Sequence, residues 1–488
     1  MQKQRSVLWV TIFLMVLTVF VLASVPYVNS DFPVLATFLI NGFIFSVGIL
    51  VQLKNYPFSL NLIFWTFMYF FMFFAPFIQY TSNKYPWGES LIPPTDNEVF
   101  LCNLIIFFFS ILWILGKVLF KSRQQKKKIK QTWISKAITI EYKPNYNKKY
   151  PILLFLSILI TLIALYNGGI SGIFDSQVRK FYSGENHSFN LILNISLPAV
   201  LTFVFIFYFS VWRDTRKHLI PTIISLACLI ISYFPTTISR YMTAAIYLGI
   251  LMVVLPAIRK RNLFFVVFVF GLFIMFPFLN LFRYGVEDIS IPSFLNNLSE
   301  NFISSYTEGH YDAYISLVSA LRYVTENSCV WGRQLIGAVL FFVPRTIWPN
   351  KPIGSGAMLM DYFSPGSFSN VSCTFIAEWL LNFGMVGILL APIVFGYFFS
   401  KFDYNYHYYE KISNKGGITP YVFLVPLVFF LLRGDMMSGF AYTFGFIFIG
   451  VIIKYFTIAT KSKGSWKLKV NNLYHERINS VNSKVYIE

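Results

Sequence analysis

The chain has 488 residues, of which 56% are hydrophobic and 20% aromatic, while only 12% are charged. Several apolar runs are long enough to cross a hydrocarbon core of about 30 Å, so the composition excludes a soluble globular domain and indicates a polytopic membrane protein. A net charge of +19 would favour nucleic-acid binding in a soluble protein. Here the cations lie in short loops beside apolar segments, where they orient helices, and we expect no nucleic-acid partner.

The pattern predicts an all-α fold with about twelve transmembrane helices, and an even number returns both termini to one side. The first span follows Lys3 and Arg5 as in a signal peptide, but it lacks a small-residue cleavage site, so we expect an uncleaved anchor. We divide the chain into a bundle of nine spans (1–282), an outer loop (283–371), three further spans (372–457) and a tail (458–488). The predicted spans are residues 7–25, 33–52, 58–77, 98–119, 151–168, 190–211, 219–234, 242–257, 263–281, 374–399, 418–432 and 439–457.

Lysine and arginine sort to opposite sides of these spans. Most lysines lie in one set of loops and the two termini, including the run RQQKKKIK at 123–130, which we interpret as an orientation signal rather than a lipid or nucleic-acid patch. The positive-inside rule makes that side cytoplasmic. The other side has few cations, mostly arginine, whose planar guanidinium binds phosphate or carboxylate through two hydrogen bonds. These arginines are Arg179, Arg240, Arg283, Arg322, Arg333, Arg345 and Arg433.

The outer loop should contain two membrane-associated elements. Residues 310–325 place an apolar stripe on one helical face, which predicts an amphipathic helix at the outer interface or over a cavity. The apolar run 335–343 is too short to span and precedes a segment with three prolines and two glycines. Because irregular backbone at membrane depth must line a protein cavity or water, we predict that 335–356 is a half-inserted helix and rigid loop closing an outward-facing pocket.

Two spans are unusually short and each precedes an arginine. Residues 219–234 lead to Arg240 and residues 418–432 lead to Arg433, and about 15 helical residues cover only some 22 Å. Both arginines should therefore lie below the outer surface, lining a water-filled cavity or pairing with an acid. For Arg433 the alternative is a structural ion pair with Asp435 or Glu378.

The proline-rich loop carries a second pair of cations. Arg345 and Lys351 flank Trp348, an arrangement suited to a ligand that combines phosphate with sugar, because sugar faces stack on tryptophan. The alternative is that Trp348 and Arg345 anchor the loop at the interface. Arg179 lies in an ordinary polar loop, and Arg283 begins the long outer one.

Candidates for acid or base chemistry on the outer side are few. They are the carboxylates of Asp361, Glu378 and Asp435 and the imidazole of His310. Glu378 lies near the outer end of a span and is either a general base or the partner that positions an arginine. Cys329 and Cys373 both lie in the outer segment, where free thiols are more expected than a disulfide, and no spacing typical of a metal site occurs.

At these residues the chain resembles the Wzy-type O-antigen and capsule oligosaccharide repeat-unit polymerases. The segments that carry the resemblance are FFVPRTIWPNKPIGSG (341–356), TFIAEWLLNFGMVGI (374–388) and LLRGDMMSGF (431–440). The resemblance implies a GT-C-like glycosyltransferase of the bacterial inner membrane that polymerises undecaprenyl-diphosphate-linked repeat units on the outer face. It implies no cofactor, and it implies a chain-length regulator and a flippase as partners.

The resemblance and the residues together define the expected site. We expect the catalytic groups to be Arg240, Arg345, Arg433 and Glu378, and the substrate-binding groups to be Arg179, Arg283, His310, Trp348, Lys351 and Asp435. Three alternatives stay open: a flippase for the same lipid-linked sugars, an O-antigen ligase, and a non-enzymatic scaffold. A flippase should show comparable halves and midplane charges, whereas the ligase shares this architecture.

Overall fold

The computed structural model describes residues 2–88, 91–131, 150–174, 187–260, 262–272, 304–367, 371–412 and 420–457, and all regular structure in these ranges is helical. The helices are α1 (Gln2–Ser24), α2 (Phe32–Asn55), α3 (Leu60–Ser82), α4 (Asp96–Gln131), α5 (Tyr150–Gly168), α6 (His187–Thr215), α7 (Leu219–Ser232), α8 (Tyr241–Val254), α9 (Ala257–Lys260), α10 (Leu263–Phe270), α11 (Ala313–Asn327), α12 (Arg333–Val339), α13 (Ser355–Phe363), α14 (Phe375–Ile412), α15 (Pro420–Arg433) and α16 (Met436–Thr457).

The helices support a polytopic membrane protein, but with fewer full-length spans than the sequence predicts. Within the described ranges, eight helices are long and apolar enough to cross a membrane: α1 to α6, α14 and α16. Three of the predicted spans are shorter apolar helices, namely α7, α8 and α15. Of the predicted span 263–281, only the first part is described, as α10. The expected shortness of 219–234 is confirmed, because α7 has 14 residues, and the described part of α15 also has 14.

Helix α3 forms the centre of the bundle. All of the residues in its most apolar stretch are buried, unlike those of any other long helix in the described ranges. Its middle widens into a π-helical turn at Phe70–Phe74. The widened turn packs against the segment that leads into α11, since Tyr311 stacks on Phe71 at 5.1 Å between ring centroids and Tyr306 packs edge-on against Phe74. Helix α3 therefore supports the site end of the molecule from inside.

Helix α14 folds back on itself, which corrects the prediction of a single span over 374–399. Gly384 has φ 59° and ψ −143°, a conformation outside the helical region that essentially only glycine adopts. The ring centroids of Phe375 and Phe395 are 4.8 Å apart, whereas 20 residues of straight helix would separate them by about 30 Å. The chain thus makes a short buried arm, 375–383, reverses at Gly384, and continues as a long arm, 385–412.

The long arm of α14 packs closely against α4. A Cβ added at Gly116 would lie 2.2 Å from the carbonyl oxygen of Ile393, and one added at Gly396 would lie 2.4 Å from that of Trp113. Only residues without side chains allow two helix backbones to approach this closely, as at small-residue crossings in other membrane proteins. This crossing fixes the long arm of α14 against α4.

The helix predicted over 310–325 is α11, and its first half is more deeply buried than the apolar stripe alone predicts. The first eight residues of the helix, Ala313 to Ala320, are all buried. The face opposite the apolar stripe carries the small residues Ala313, Ser316 and Ala320. The start of α14 can therefore pack against this face, and Ser316 Oγ accepts the backbone N–H of Thr374 at 3.3 Å. Only the C-terminal half of α11, from Leu321 onward, is partly or fully exposed.

The segment expected to be half-inserted, 335–356, contains the end of one short helix, α12, and the first two residues of another, α13. Helix α12 has seven residues, and turns connect it to α13. The element that folds back beside a long helix is instead the short arm of α14. Helix α12 ends at Val339, before the first proline, and the turns of the proline-rich segment hold two cations in place.

We predict that Gly384→Ala destabilises the protein by about 1–3 kcal/mol, because alanine at this φ and ψ is strained. The measurement is thermal unfolding of the purified protein in detergent. Gly271→Ala is the matched control, since a Cβ at Gly271 would meet no described atom within 4 Å. Equal midpoints for the two variants would contradict the reversal at Gly384.

Candidate functional site

Asp312 is a buried carboxylate that joins four parts of the chain, and sequence reasoning did not single it out. Only 1% of the residue is exposed. Oδ2 accepts the backbone N–H of Ser372 at 3.1 Å and Nε1–H of Trp87 at 3.3 Å, while Oδ1 accepts the hydroxyl of Ser372. Oδ1 also pairs with Nη2 of Arg433 at 3.0 Å. Four parts of the chain therefore meet at this carboxylate: the start of α11, the segment after α3, the segment before α14 and the end of α15.

The guanidinium of Arg433 is largely occupied by the protein itself. Besides the ion pair with Asp312, Nε donates to the carbonyl of His310 at 3.1 Å and Nη2 donates to that of Gly309 at 3.2 Å. The side chain is 27% exposed. Arg433 thus binds the segment before α11, and His310 contributes its backbone carbonyl to this arrangement.

The ion pair of Arg433 differs from the pairs considered from the sequence, which were with Asp435 or Glu378. Asp435 is only two residues away, but its carboxylate turns back to the start of α16. Glu378 is engaged elsewhere. Asp312 is 121 residues away in the chain, so no local pattern could have identified it.

The segment with Asp312 is positioned by the central helix. Gln79 of α3 donates Nε2–H to the carbonyls of Tyr306 and Tyr311 at 2.7 and 2.9 Å. These two carbonyls lie on either side of Gly309 and His310, whose own carbonyls accept hydrogen bonds from Arg433. The site end is therefore attached to the most buried helix of the bundle.

Arg345 and Lys351 are held together by a compact turn. Trp348 donates its backbone N–H to the carbonyl of Pro344, and Lys351 donates its own to the carbonyl of Trp348, both at 3.0 Å. The side chain of Arg345 reaches across the turn. Its Nη1 donates to the carbonyl of Lys351 at 2.7 Å, and its Nη2 donates to the carbonyl of Pro352 at 3.3 Å. Trp348 is half-buried on the same turn. The sequence expectation of two cations flanking Trp348 in fixed geometry agrees with this arrangement.

Lys351 is buried although no acid neutralises it within the described ranges. Its ammonium donates to the carbonyls of Phe341 and Val343 at 2.6 and 3.0 Å. Burial, together with the nearby guanidinium of Arg345, lowers the pKa of the Lys351 ammonium below its usual range. A nearby anion would offset both effects, so this turn favours negatively charged ligands.

Glu378 lies in the short arm of α14 and is completely buried. Oε1 accepts the backbone N–H of Met436 at 2.7 Å, and Oε2 accepts the hydroxyl of Ser355 at 2.8 Å and Nδ2–H of Asn382 at 3.4 Å. The carboxylate thus connects α14 to the first residues of α13 and α16. An acidic group at a helix N-terminus is also stabilised by the helix dipole. This environment favours a positioning role over proton transfer.

Asp435 caps α16 and faces the cationic loop. Its Oδ1 accepts the backbone N–H of Ser438 at 3.0 Å. A Cβ added at Gly354 would lie 3.2 Å from the same oxygen, so the loop passes directly beside the carboxylate. Asp435 is partly exposed. Burial nevertheless raises the pKa of its carboxyl above the usual range, and the hydrogen bonds of the cap oppose that rise.

The backbone of Arg240 lies near the end of α15, the helix that carries Arg433. The next residue, Tyr241, stacks on Phe430 at 4.0 Å between ring centroids and packs edge-on against Tyr442. Phe430 is one helical turn before Arg433. The two arginines that follow the short predicted spans are thus brought to one end of the bundle, although the side chain of Arg240 lies outside the described part.

The structure does not describe every expected residue. Arg179 and Arg283 lie outside the described ranges. Arg322 is described, but it is paired with Glu98 of α4 and donates to two carbonyls before that helix, so its charge is used within the protein. The described residues include no group of three His, Cys, Asp or Glu able to hold a metal ion.

All four cysteines are free thiols, including Cys329 and Cys373. The chain matches no family model, no curated protein and no solved structure.

We predict that Asp312→Asn destabilises the protein by about 3 kcal/mol, because it leaves Arg433 in a mostly buried position without its counter-charge. Thermal unfolding in detergent measures the effect. Asp361→Asn is the control, since Asp361 is exposed on α13 and its neutralisation should change stability by less than about 0.5 kcal/mol. Similar losses in both variants would show that the ion pair contributes little.

Proposed function

We propose that the protein is a glycosyltransferase that polymerises oligosaccharide repeat units carried on undecaprenyl diphosphate, on the outer face of a bacterial inner membrane. In this orientation the end of the bundle with Arg345 and Arg433 faces outward, and the lysine-rich end, with both termini, faces the cytoplasm. The proposal combines the sequence resemblance with the chemistry of the loop 344–356 and the turn 433–438.

The observation that carries the proposal is the charge of Arg345 and Lys351. In the described part of the chain, Arg322 is paired with Glu98 and Arg433 with Asp312. Arg345 and Lys351, by contrast, contact only carbonyl oxygens there. Carbonyls orient a cation without neutralising it. The positive charge of this loop is therefore available to an external anion, and a diphosphate is the anion that a lipid-linked sugar donor supplies.

Arg345 is the accessible member of the pair. The residue is exposed, and its two described hydrogen bonds use two of the five N–H groups of a guanidinium. The remaining N–H groups suit a phosphate oxygen pair. Lys351 lies behind it and adds positive potential from a buried position, where its charge is less screened by water.

The chemistry follows from this geometry. A hydroxyl of the acceptor sugar attacks the anomeric carbon of the donor, and the bond from that carbon to the diphosphate oxygen breaks. The leaving diphosphate gains negative charge as the bond lengthens. Cations already fixed at that position stabilise the transition state more than the ground state, which is how an electrostatic site accelerates such a transfer. Trp348, on the same turn, provides an aromatic face for a sugar ring.

The occupied guanidinium of Arg433 gives this residue a different role from Arg345. Its contacts with Gly309, His310 and Asp312 hold the turn 433–435 against the segment before α11. We propose that Arg433 positions the turn, while Arg345 contacts the diphosphate. Glu378 supports both by joining the first residues of α13 and α16.

We predict that Arg345→Lys, which keeps the charge but loses the bidentate fork, reduces polymerisation at least about tenfold. Cells that depend on this variant should accumulate single lipid-linked repeat units on the outer face, at unchanged protein level. Gel electrophoresis of the surface glycan measures the distribution of chain lengths.

The control is Arg213→Lys, which changes an arginine paired with Asp214 on α6 and should leave the ladder of chain lengths normal. Normal ladders for Arg345→Lys would contradict the proposed function. Repeat units trapped on the cytoplasmic side would identify a flippase, and long polymer that fails to reach its final lipid would identify a ligase.

A further inference from the structure

The residue that accepts the proton of the attacking hydroxyl was left open by the sequence. A general base must be reachable by the acceptor and must keep a lone pair free. Glu378 is completely buried and both of its oxygens accept hydrogen bonds. Asp312 is 1% exposed and is occupied in the same way. Neither carboxylate meets the requirement.

Asp361 is accessible to an acceptor sugar, but it does not lie beside the cationic loop. It lies on the exposed side of α13, whereas the cationic turn precedes that helix. Asp435 is partly exposed and lies directly beside Gly354, two residues after Pro352, whose carbonyl binds Arg345. Of the carboxylates considered, Asp435 alone belongs to a partly exposed residue and lies beside the cationic loop.

The contacts of Asp435 leave room for a second role. The carboxylate accepts the backbone N–H of Ser438 at Oδ1, and the Ser438 hydroxyl and the backbone N–H of Met437 also donate to it. These three bonds leave one of its about four lone-pair sites open, and no cation of the described residues lies within ion-pairing distance. A Cβ at Gly354 would approach Oδ1 to 3.2 Å, so a residue without a side chain lets the loop lie directly beside the carboxylate. The rigid cap fixes the carboxylate against the loop that binds the leaving group.

We propose that Asp435 is the general base of the transfer, and this inference rests on the proposed function. Asp435 takes the proton from the acceptor hydroxyl as its oxygen forms the new bond to the anomeric carbon. The electron pair of the broken carbon–oxygen bond leaves with the diphosphate, which is held by Arg345. No oxidant, metal or nucleotide enters this balance.

Asp435→Asn separates the two roles of the residue. Asparagine is as good an N-cap as aspartate, because its side-chain oxygen still accepts the N–H of Ser438. It has no carboxylate to take a proton. We expect the purified variant, supplied with undecaprenyl-diphosphate repeat units in proteoliposomes, to form polymer about 100-fold more slowly or worse. Its KM for the repeat unit and its thermal unfolding midpoint should match those of the unchanged protein.

The pH profile provides a readout that a structural role would not change. For the unchanged protein the rate should rise with pH as Asp435 loses its proton, and Asp435→Asn should abolish this rise. Among the described residues, the other titratable groups near Asp435 are Glu378 of α14, Cys373 just before it, and Tyr241 of α8. All three remain in the variant, so a persistent rise would assign the titration to one of them and contradict the proposal.

The outcomes distinguish this inference from the proposed function. If the unchanged protein polymerises the repeat units and Asp435→Asn does so within threefold of its rate, Asp435 is not the base although the function stands. A parallel loss of rate and thermal stability in both Asp435→Asn and Asp435→Ser, each able to cap a helix, would also overturn the proposal. If the unchanged protein forms no polymer, the proposed function itself fails. Asp361→Asn, exposed on α13, is the control and should keep the full rate.

Discussion

The site end of this protein depends on one buried carboxylate, that of Asp312. A carboxylate removed from water is costly unless donors surround it, and the four hydrogen bonds it accepts come from Trp87, Ser372 and Arg433. Those donors lie in parts of the chain far apart in sequence, so satisfying Asp312 forces them together. Arg433 is thereby held by the protein, and the turn that follows it takes up a fixed position beside the cationic loop.

A second buried carboxylate acts in the same way at the opposite end of the bundle. Asp403 accepts the backbone N–H groups of Leu60 and Asn61 at 2.8 and 3.2 Å, and the hydroxyl of Tyr421. It thus connects the start of α3 to α14 and to the start of α15. Helices in lipid gain little from apolar contact with one another, so polar contacts and close packing must specify their arrangement. Asp312 and Asp403 provide the polar contacts, and the glycine crossing of α4 and α14 provides the close packing.

Local patterns were sufficient for the positions of most helices and for several groups of the site. The shortness of α7 and α15 follows directly from the length of their apolar runs, and the prolines around Arg345 and Lys351 already indicated a rigid turn. The reversal at Gly384 was not visible, because the sequence on both sides is apolar and helical and reads as one span. The burial of α11 was missed for a related reason. An apolar stripe indicates that one face of a helix is covered. It does not show that small residues on the other face allow a second helix to cover that face too.

The sequence by itself determined that the chain is an apolar helical protein. It predicted that lysines and arginines lie on opposite sides of the spans, and it made a few arginines candidates for binding an anion. Only the tertiary structure decided which of these cations are already neutralised. Arg322 and Arg433 find acidic partners more than 100 residues away, whereas Arg345 and Lys351 find only carbonyl oxygens among the described residues. The physical reason is that an ion pair requires about 4 Å between charged atoms. That distance is set by the packing of whole helices and leaves no trace in the local sequence.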